Sequence, residues 1–272
     1  MKYLLFSFRI SLLFVFSLTQ AQDTLSIVSW NLKNLGKSKD AGEITHIANT
    51  VRNFDVIAIQ EVVAGPEGPK AVARLHDELN RKGAKWDYRI SNPTSGGGNK
   101  SERYAFVWKT SRLKLVGDAW LEDKYHQEIV REPYFIRMES ASGVFTLVNF
   151  HAITKSDKPE TEIKYFRFLP QRYRSHRLIF TGDFNLPQSH TVFNPLKKMG
   201  FISAMQGQKT SLRQACIDGD CLASEFDNFF LQPAYFTLHS KGIIPFYQAF
   251  EDLKQARLVS DHVPIFIRVS LN

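Results

Sequence analysis

Apolar and polar residues alternate in short blocks along this chain, switching between the two-residue period of a strand and the longer period of a helix. "TLSIVSW", Thr24 to Trp30, alternates as a strand. Asp40 is placed to cap a helix reaching about Phe54, on which Ile44, Ile47, Ala48 and Val51 share one face. "DVIAIQE" from Asp55 reads as a buried strand ending in polar residues. Lys70 to Lys82 has helical spacing, with Val72, Leu75 and Leu79 on its apolar side. The glycine-rich "SGGGNKS", Ser95 to Ser101, is a flexible loop. Strands follow at "RYAFVWK", "LKLVGDAW", "YFIRMES" and "VFTLVNFH", then a helix over Pro159 to Tyr173, the strand "LIFTGDF", and a short helix near Phe193 to Met199. The tail alternates again at "FDNFFL" and "HVPIFIRVS". Frequent strands, amphipathic helices between them and no internal repeat predict an α/β layered domain.

The first residues stand apart from this pattern. Lys2 gives a charged start, Ile10 to Leu18 is apolar, and Thr19-Gln20-Ala21 ends in a small residue. That is the layout of a secretory signal peptide cut after Ala21, leaving 22–272 as one catalytic-sized domain and placing the product outside the cell or in a periplasm. The other reading, an uncleaved anchor, is disfavoured because Arg9 shortens the apolar run below a comfortable span. With 272 residues, 43% of them hydrophobic, there is ample material for a core. Taking Lys2 and Arg9 from the 35 basic residues leaves 33 against 27 acidic, a net +6 that favours polyanionic partners only weakly. Cys216 and Cys221 enclose a four-residue loop with a glycine; in an exported chain this pair reads as a small disulfide holding one turn. No second ligand pair makes them a zinc site.

Where the polar residues fall changes the picture. Asn31 follows "IVSW", Glu61 follows "VIAIQ", His151 follows "TLVNF", Asp183 and Asn185 end "LIFTG", Asp227 opens "NFFL", and Asp261-His262 precede "VPIFI". Taken singly, Asn31 serves as well as a turn cap, Glu61 as a lysine's partner and His151 as a satisfied core histidine. Six such placements at strand ends in one layered fold point to a site. Asp183 and Asn185, two apart after an apolar strand, are expected to project to one side of an extended chain.

These residues lie in motifs. "WNLKN" (30–34), "IQEV" (59–62), "SERYAFVW" (101–108), "NFHA" (149–152), "GDFN" (182–185), "FDNFF" (226–230) and "SDHVPI" (260–265) resemble, in order, those of the deoxyribonuclease I-like endonuclease/exonuclease/phosphatase superfamily. "KSERYAFVWK" and "REPYF" (131–135) are similar to deoxyribonuclease I itself. The resemblance implies a four-layer α/β sandwich, two mixed β-sheets face to face with helices outside, and metal-dependent phosphodiester hydrolysis. It implies that Glu102 orients His151 and Asp227 orients His262.

The chemistry needs the same residue types. Phosphodiester hydrolysis requires an activated water, stabilised phosphoryl oxygens and a proton for the leaving oxygen. Asn31 and Glu61 are oxygen ligands suited to Mg²⁺, with Mn²⁺ or Ca²⁺ as alternatives, and Asp261 is placed to help. The two histidines supply proton chemistry, with acid and base roles left open. Asp183 and Asn185 would orient the water and the scissile phosphate. Arg131 is a candidate phosphate contact through its fork, although a solvated arginine reads nearly as well. Lys100 and Arg103 are candidates for backbone phosphates. The sequence departs from deoxyribonuclease I at Val63 and Lys100, where that enzyme carries a groove-reading arginine and tyrosine, and its cysteine pair does not match the usual bridges.

The leading expectation is an exported endonuclease acting on DNA as a monomer without membrane contact. The alternative is a sphingomyelinase-like phosphodiesterase on lipid or small phosphates, for which "GIIPFYQAF" (242–250) is the candidate membrane surface, unless it is a buried strand. A binding module that has lost catalysis would lack a histidine or metal ligand, and none is missing.

Overall fold

The computed structural model describes residues 23–96 and 100–272; the predicted leader and the middle of the glycine-rich loop lie outside the described residues. In chain order the first half runs β1 (Leu25–Leu35), α1 (Ala41–Val51), β2 (Val56–Val63), α2 (Glu67–Asn80), β3 (Trp86–Ile90), β4 (Glu102–Lys109), β5 (Lys114–Leu115), β6 (Trp120–Leu121), β7 (Tyr134–Ser140) and β8 (Gly143–His151). The second half adds α3 (Glu160–Ile163), α4 (Leu169–Arg172), β9 (Leu178–Asp183), α5 (Asn194–Lys198), β10 (Ile202–Ser203), β11 (Leu212–Ile217), β12 (Asp220–Leu222), β13 (Asp227–Leu231), β14 (Phe236–Ile243), α6 (Leu253–Val259) and β15 (Ile265–Leu271).

The strands form two large sheets, ordered β14-β15-β1-β2-β4-β3 and β10-β13-β9-β8-β7-β5, with β6 also on β7 and β11-β12 a separate hairpin. Each large sheet is mixed, with one parallel pair near its centre: β1 beside β2, and β8 beside β9. Their apolar faces pack on each other through Ile27, Val56, Ala58 and Phe106 from one sheet and Ile136, Leu147, Ile179 and Phe229 from the other. The outer face of the first sheet is covered by α1, α2 and α6, with Ile44, Val72 and Ala256 in that core. The second is covered by the 160–198 helices, through Ile163, Phe166, Leu169 and Leu196. Helix, sheet, sheet, helix is the four-layer arrangement the motifs implied. Central strands buried on both faces also explain why β2 and β9 read as continuous apolar runs.

The parallel pairs decide where polar residues meet. Parallel strands end on the same side, so Asn31 and Glu61 from one sheet and His151 and Asp183 from the other gather at one edge of the sandwich. A buried link beneath them joins the sheets: Gln60 Nε2 donates to Asn149 Oδ1 (2.5 Å), and Asn149 Nδ2 donates to the Ile59 carbonyl (2.9 Å). Gly182 is demanded by this closeness. Its φ is +133°, and a Cβ there would lie 1.8 Å from the Phe150 carbonyl oxygen of the neighbouring strand.

Several elements differ from the periodic reading. The 159–173 helix is broken into α3, a 3-10 stretch (Lys164–Phe168) and α4, because Pro170 lacks an N–H to continue a helix. "LKLVGDAW" splits into β5 and β6 around Gly117, whose φ is +72°. β1 runs on past Trp30 to Leu35, and β3, β14, α6 and the β11-β12 hairpin were not foreseen. "GIIPFYQAF" is neither a strand throughout nor an exposed apolar hairpin. β14 ends at Ile243, and Phe246 is buried against Trp30 and His46. Cys216 and Cys221 are bonded across the hairpin. Among the described residues no helix is long and apolar enough to cross a membrane.

Candidate active site

Glu61 lies inside β2 in a left-handed backbone conformation, φ +59°, where the register of β2 shifts against both neighbours. A non-glycine residue held there costs on the order of 1–3 kcal/mol, and such strain collects at functional sites. The bulge turns the side chain across the β1 end. Glu61 Oε1 accepts from Asn31 Nδ2 (3.0 Å) and Oε2 from the Asn34 amide (3.0 Å). Asn31 is fully buried, and the same Nδ2 is 3.2 Å from Asp183 Oδ2 of the other sheet. The carboxamide thus lies between two carboxylates whose repulsion a cation would relieve. The oxygens of Glu61 and Asp183 fit a hard divalent metal, while Asn31 faces them with Nδ2 and its Oδ1 accepts from the Lys33 amide (3.0 Å).

His151 and His262 each have a carboxylate behind one ring nitrogen. His151 Nδ1 is 2.9 Å from Glu102 Oε2, and His262 Nδ1 is 2.7 Å from Asp227 Oδ2. Their other nitrogens face one oxygen, Asp183 Oδ2, at 3.4 Å from His151 Nε2 and 3.6 Å from His262 Nε2. Burial works against an imidazolium at both sites, yet the neighbouring carboxylates outweigh it. His151 is raised by Glu102, and His262 is pushed up to about 10 by Asp227 and Asp183. Burial alone would raise Asp183 and Glu102. Instead, the two histidines hold the Asp183 carboxyl below the ordinary range, while His151 and Arg131 do so for Glu102. Asp227 goes the other way: burial pushes it up, and one of its oxygens, Oδ1, is buried without a partner among the described residues.

The segment carrying His262 is pinned to the β1 end. Ser260 Oγ donates to the Asn31 carbonyl (2.5 Å) and accepts from the His262 amide (2.9 Å), while Trp30 Nε1 donates to the His262 carbonyl (2.8 Å). The expected site residues are therefore brought together, with four exceptions of orientation. Asn185 does not extend β9: it has φ +51°, its amide donates to Asp183 Oδ1, and its Nδ2 donates to the Ala152 carbonyl, so the two side chains do not share one face of a strand. Asp261 turns toward Arg257 (3.3 Å) and Lys33 (3.8 Å). Arg103 is engaged by the carbonyls of Ala64 and Ser91, both at 2.8 Å, and not turned out for phosphate. Arg131 is mostly buried, bonded to Glu102 Oε2 (3.0 Å) and the Ala152 carbonyl. It still lines a cleft of about 510 Å³ together with Glu61, Ser101 and Glu102. Lys100 is exposed, 3.9 Å from Asp157.

Two residues that periodicity did not single out complete the frame. Thr210 Oγ1, fully buried, donates to Asp227 Oδ2 (2.7 Å) and accepts from the Asp227 and Phe226 amides (3.0 and 3.2 Å). Glu162 accepts from the Val130 amide (2.6 Å) and the Ile153 amide (2.9 Å), clamping the segments that carry Arg131 and His151. Neither stands at a strand end, which was the available signal.

This fold and cluster have relatives. The profile of the Endonuclease/Exonuclease/phosphatase family matches residues 28–262, and the chain belongs to that family. Within it the chain is deoxyribonuclease I-like. It is 28% identical over 280 residues to a "Deoxyribonuclease" of Thioalkalivibrio sp. (strain K90mix), covering 94% of this chain and 74% of the relative. It is 26% identical to "Deoxyribonuclease-1-like 1" of Sus scrofa, covering 95% and 85%. The crystal structure of an endonuclease/exonuclease/phosphatase family protein from Bacteroides thetaiotaomicron superposes with a TM-score of 0.69 at 17% identity, covering 92% of this chain and 99% of that one, a likeness of fold.

Proposed function

We propose that this protein is an exported, metal-dependent endonuclease that hydrolyses DNA phosphodiester bonds. The observation that carries the reading is the convergence of two carboxylate-backed imidazoles on one oxygen of Asp183, next to Glu61 and Asn31. Phosphodiester cleavage needs one group to take a proton from water and another to give one to the leaving oxygen. Asymmetric environments separate the two roles. His262, with its pKa near 10, stays protonated at neutral pH and is the acid. His151, whose Nδ1 is taken by Glu102 so that Nε2 faces Asp183, is assigned as the base, its tautomer set by Glu102. Asp183 stays ionised between them and holds the attacking water on the line from one imidazole to the other.

Glu61, and Asn31 with its carboxamide turned to present Oδ1, would hold Mg²⁺, or Mn²⁺ or Ca²⁺ in its place. When bound, the ion supplies charge stabilisation at the phosphoryl oxygens. Asp183, Asp227 and His262 also bring ligand atoms within 4.8 Å of one another, but the short His262–Asp227 contact fits a proton-bearing pair better than a second cation site. Relatives named as deoxyribonucleases support DNA as substrate. The apolar leader supports export. Burial of Phe246 against Trp30 and His46 argues against the 242–250 segment as a lipid-facing surface.

The test is one assay of the leader-free chain on supercoiled plasmid and on a choline phosphodiester, each with Mg²⁺ and with chelator. Nicking of plasmid that chelator abolishes, with no choline ester turnover, is expected. Turnover of the choline ester with intact plasmid would overturn the substrate assignment.

A further inference from the structure

The end of the second sheet opposite the candidate active site holds a cleft of about 290 Å³. Its walls include Arg137, Ser142, Thr146, Ser175, His176 and Arg177. Arg137 of β7 stands directly beside Thr146 of β8, whose Oγ1 is 2.9 Å from His176 Nδ1. Arg177 lies over the turn that opens β8: a Cβ on Gly143 would be 3.5 Å from its Nη1.

Both arginines are half-buried, and neither guanidinium has a carboxylate within 4.0 Å among the described residues. The nearest acid on the same strand face, Glu139, pairs in register with Lys114 of β5. Burial, reinforced by the Arg137 charge, holds the His176 imidazole below its ordinary pKa, and a histidine in either state cannot neutralise an arginine. Charged side chains withdrawn from water normally have a partner. Here two like charges line one cleft with hydroxyls and have none among the described residues. Guanidinium forks beside serine and threonine hydroxyls are the donor set that fits a tetrahedral oxyanion.

We propose that this cleft binds a phosphate-type oxyanion, either free phosphate or a phosphate of a nucleic-acid backbone, between Arg137 and Arg177. It is a separate site. β8 spans 9 residues from Gly143 to His151. At about 3.3 Å per residue the cleft lies roughly 17 Å from His151 at Thr146 and roughly 26 Å at Gly143. Occupied by a backbone phosphate, it would give the protein a second hold on a long polyanion while the first stretch lies at Asp183.

The experiment follows the His176 imidazole resonance by NMR at constant ionic strength, in chelator so that nothing is cleaved. The probes are inorganic phosphate and a short single-stranded oligonucleotide, each against wild type and an Arg137→Gln/Arg177→Gln double variant. Saturable movement of His176, with binding weakened by about 10-fold or more in the double variant, is expected from loss of charge-assisted bonds. Tighter binding of the oligonucleotide than of phosphate at equal phosphate concentration assigns the site to nucleic acid; equal or weaker binding assigns it to the free anion. A His176 signal that neither probe moves, or that moves equally in the double variant, would overturn the proposal.

Discussion

Thr210 offers a direct test of how the site is held. Its hydroxyl donates to Asp227 Oδ2 at 2.7 Å, lies 3.3 Å from the Ser224 carbonyl, and accepts from the buried Asp227 amide at 3.0 Å and the partly buried Phe226 amide at 3.2 Å. Thr210→Val keeps the shape and removes all of these contacts. A hydrogen bond to a charged group contributes about 1.5–3 kcal/mol, and a buried donor left unpaired costs about 1–3 kcal/mol. The losses share one atom and overlap, so the net destabilisation should be about 2–4 kcal/mol. Thr210→Ser keeps the hydroxyl and gives up one methyl, which costs about 0.5–1.5 kcal/mol. Function should follow the same split. Without its donor, Asp227 holds the His262 imidazolium less firmly, so the alkaline limb of the rate profile should move to lower pH in the valine variant and stay in place in the serine variant. Urea unfolding in chelator gives the first quantity, and plasmid nicking across pH gives the second. A valine variant as stable as wild type, with a superimposable pH profile, would refute the role given to Thr210.

What the chain disclosed and what it concealed have different physical origins. The ends of β8 and β9 were legible because an apolar strand that stops at a polar residue is a local pattern, and the same pattern marked Asn31 and Glu61 although β1 and β2 run on to Leu35 and Val63. Parallel pairing then brought those ends together without further information. The left-handed backbones of Glu61 and Asn185 were not legible, since neither is a glycine and the strain is maintained by tertiary bonds. The same is true of Arg103, Arg131 and Asp261. Their charge was visible, but which partner would take it depends on loops far apart in sequence. Thr210 and Glu162 look like ordinary polar residues, because their importance lies in which amides fold against them. α6 did have a local signal that went unused: Asp252 caps it by accepting from the Gln255 amide.

Glu61→Gln should lower plasmid nicking by at least ~10²-fold while leaving urea stability near wild type, since it removes a charge from the metal-side group without changing volume; near wild-type rates in Mg²⁺ would remove Glu61 from that role. His151→Ala and His262→Ala should each be severe, with the double variant little worse than either, because groups acting as a unit are non-additive; multiplying losses in single-turnover rates would mean that one imidazole is only structural. Glu162→Gln can accept from only one of the Val130 and Ile153 amides. It should lower kcat more than it raises KM, and an unaltered kcat would show that the clamp does not position His151. The last expectation concerns pH and the chelated, metal-free fold. The His262 pKa of about 10 in the folded protein lies above its ordinary value of about 6.5, so its proton is bound more tightly when folded. The resulting stability is therefore fully present below about pH 6.5, declines as pH rises, and is gone above about pH 10. At roughly 1.4 kcal/mol per unit of difference, the window spans a few kcal/mol. His262→Gln cannot titrate, so its urea stability should lose this alkaline slope. If wild type and His262→Gln fall in parallel between about pH 7 and 10, the imidazolium is not stabilised by Asp227 and Asp183, and the assignment of His262 as the acid falls with it.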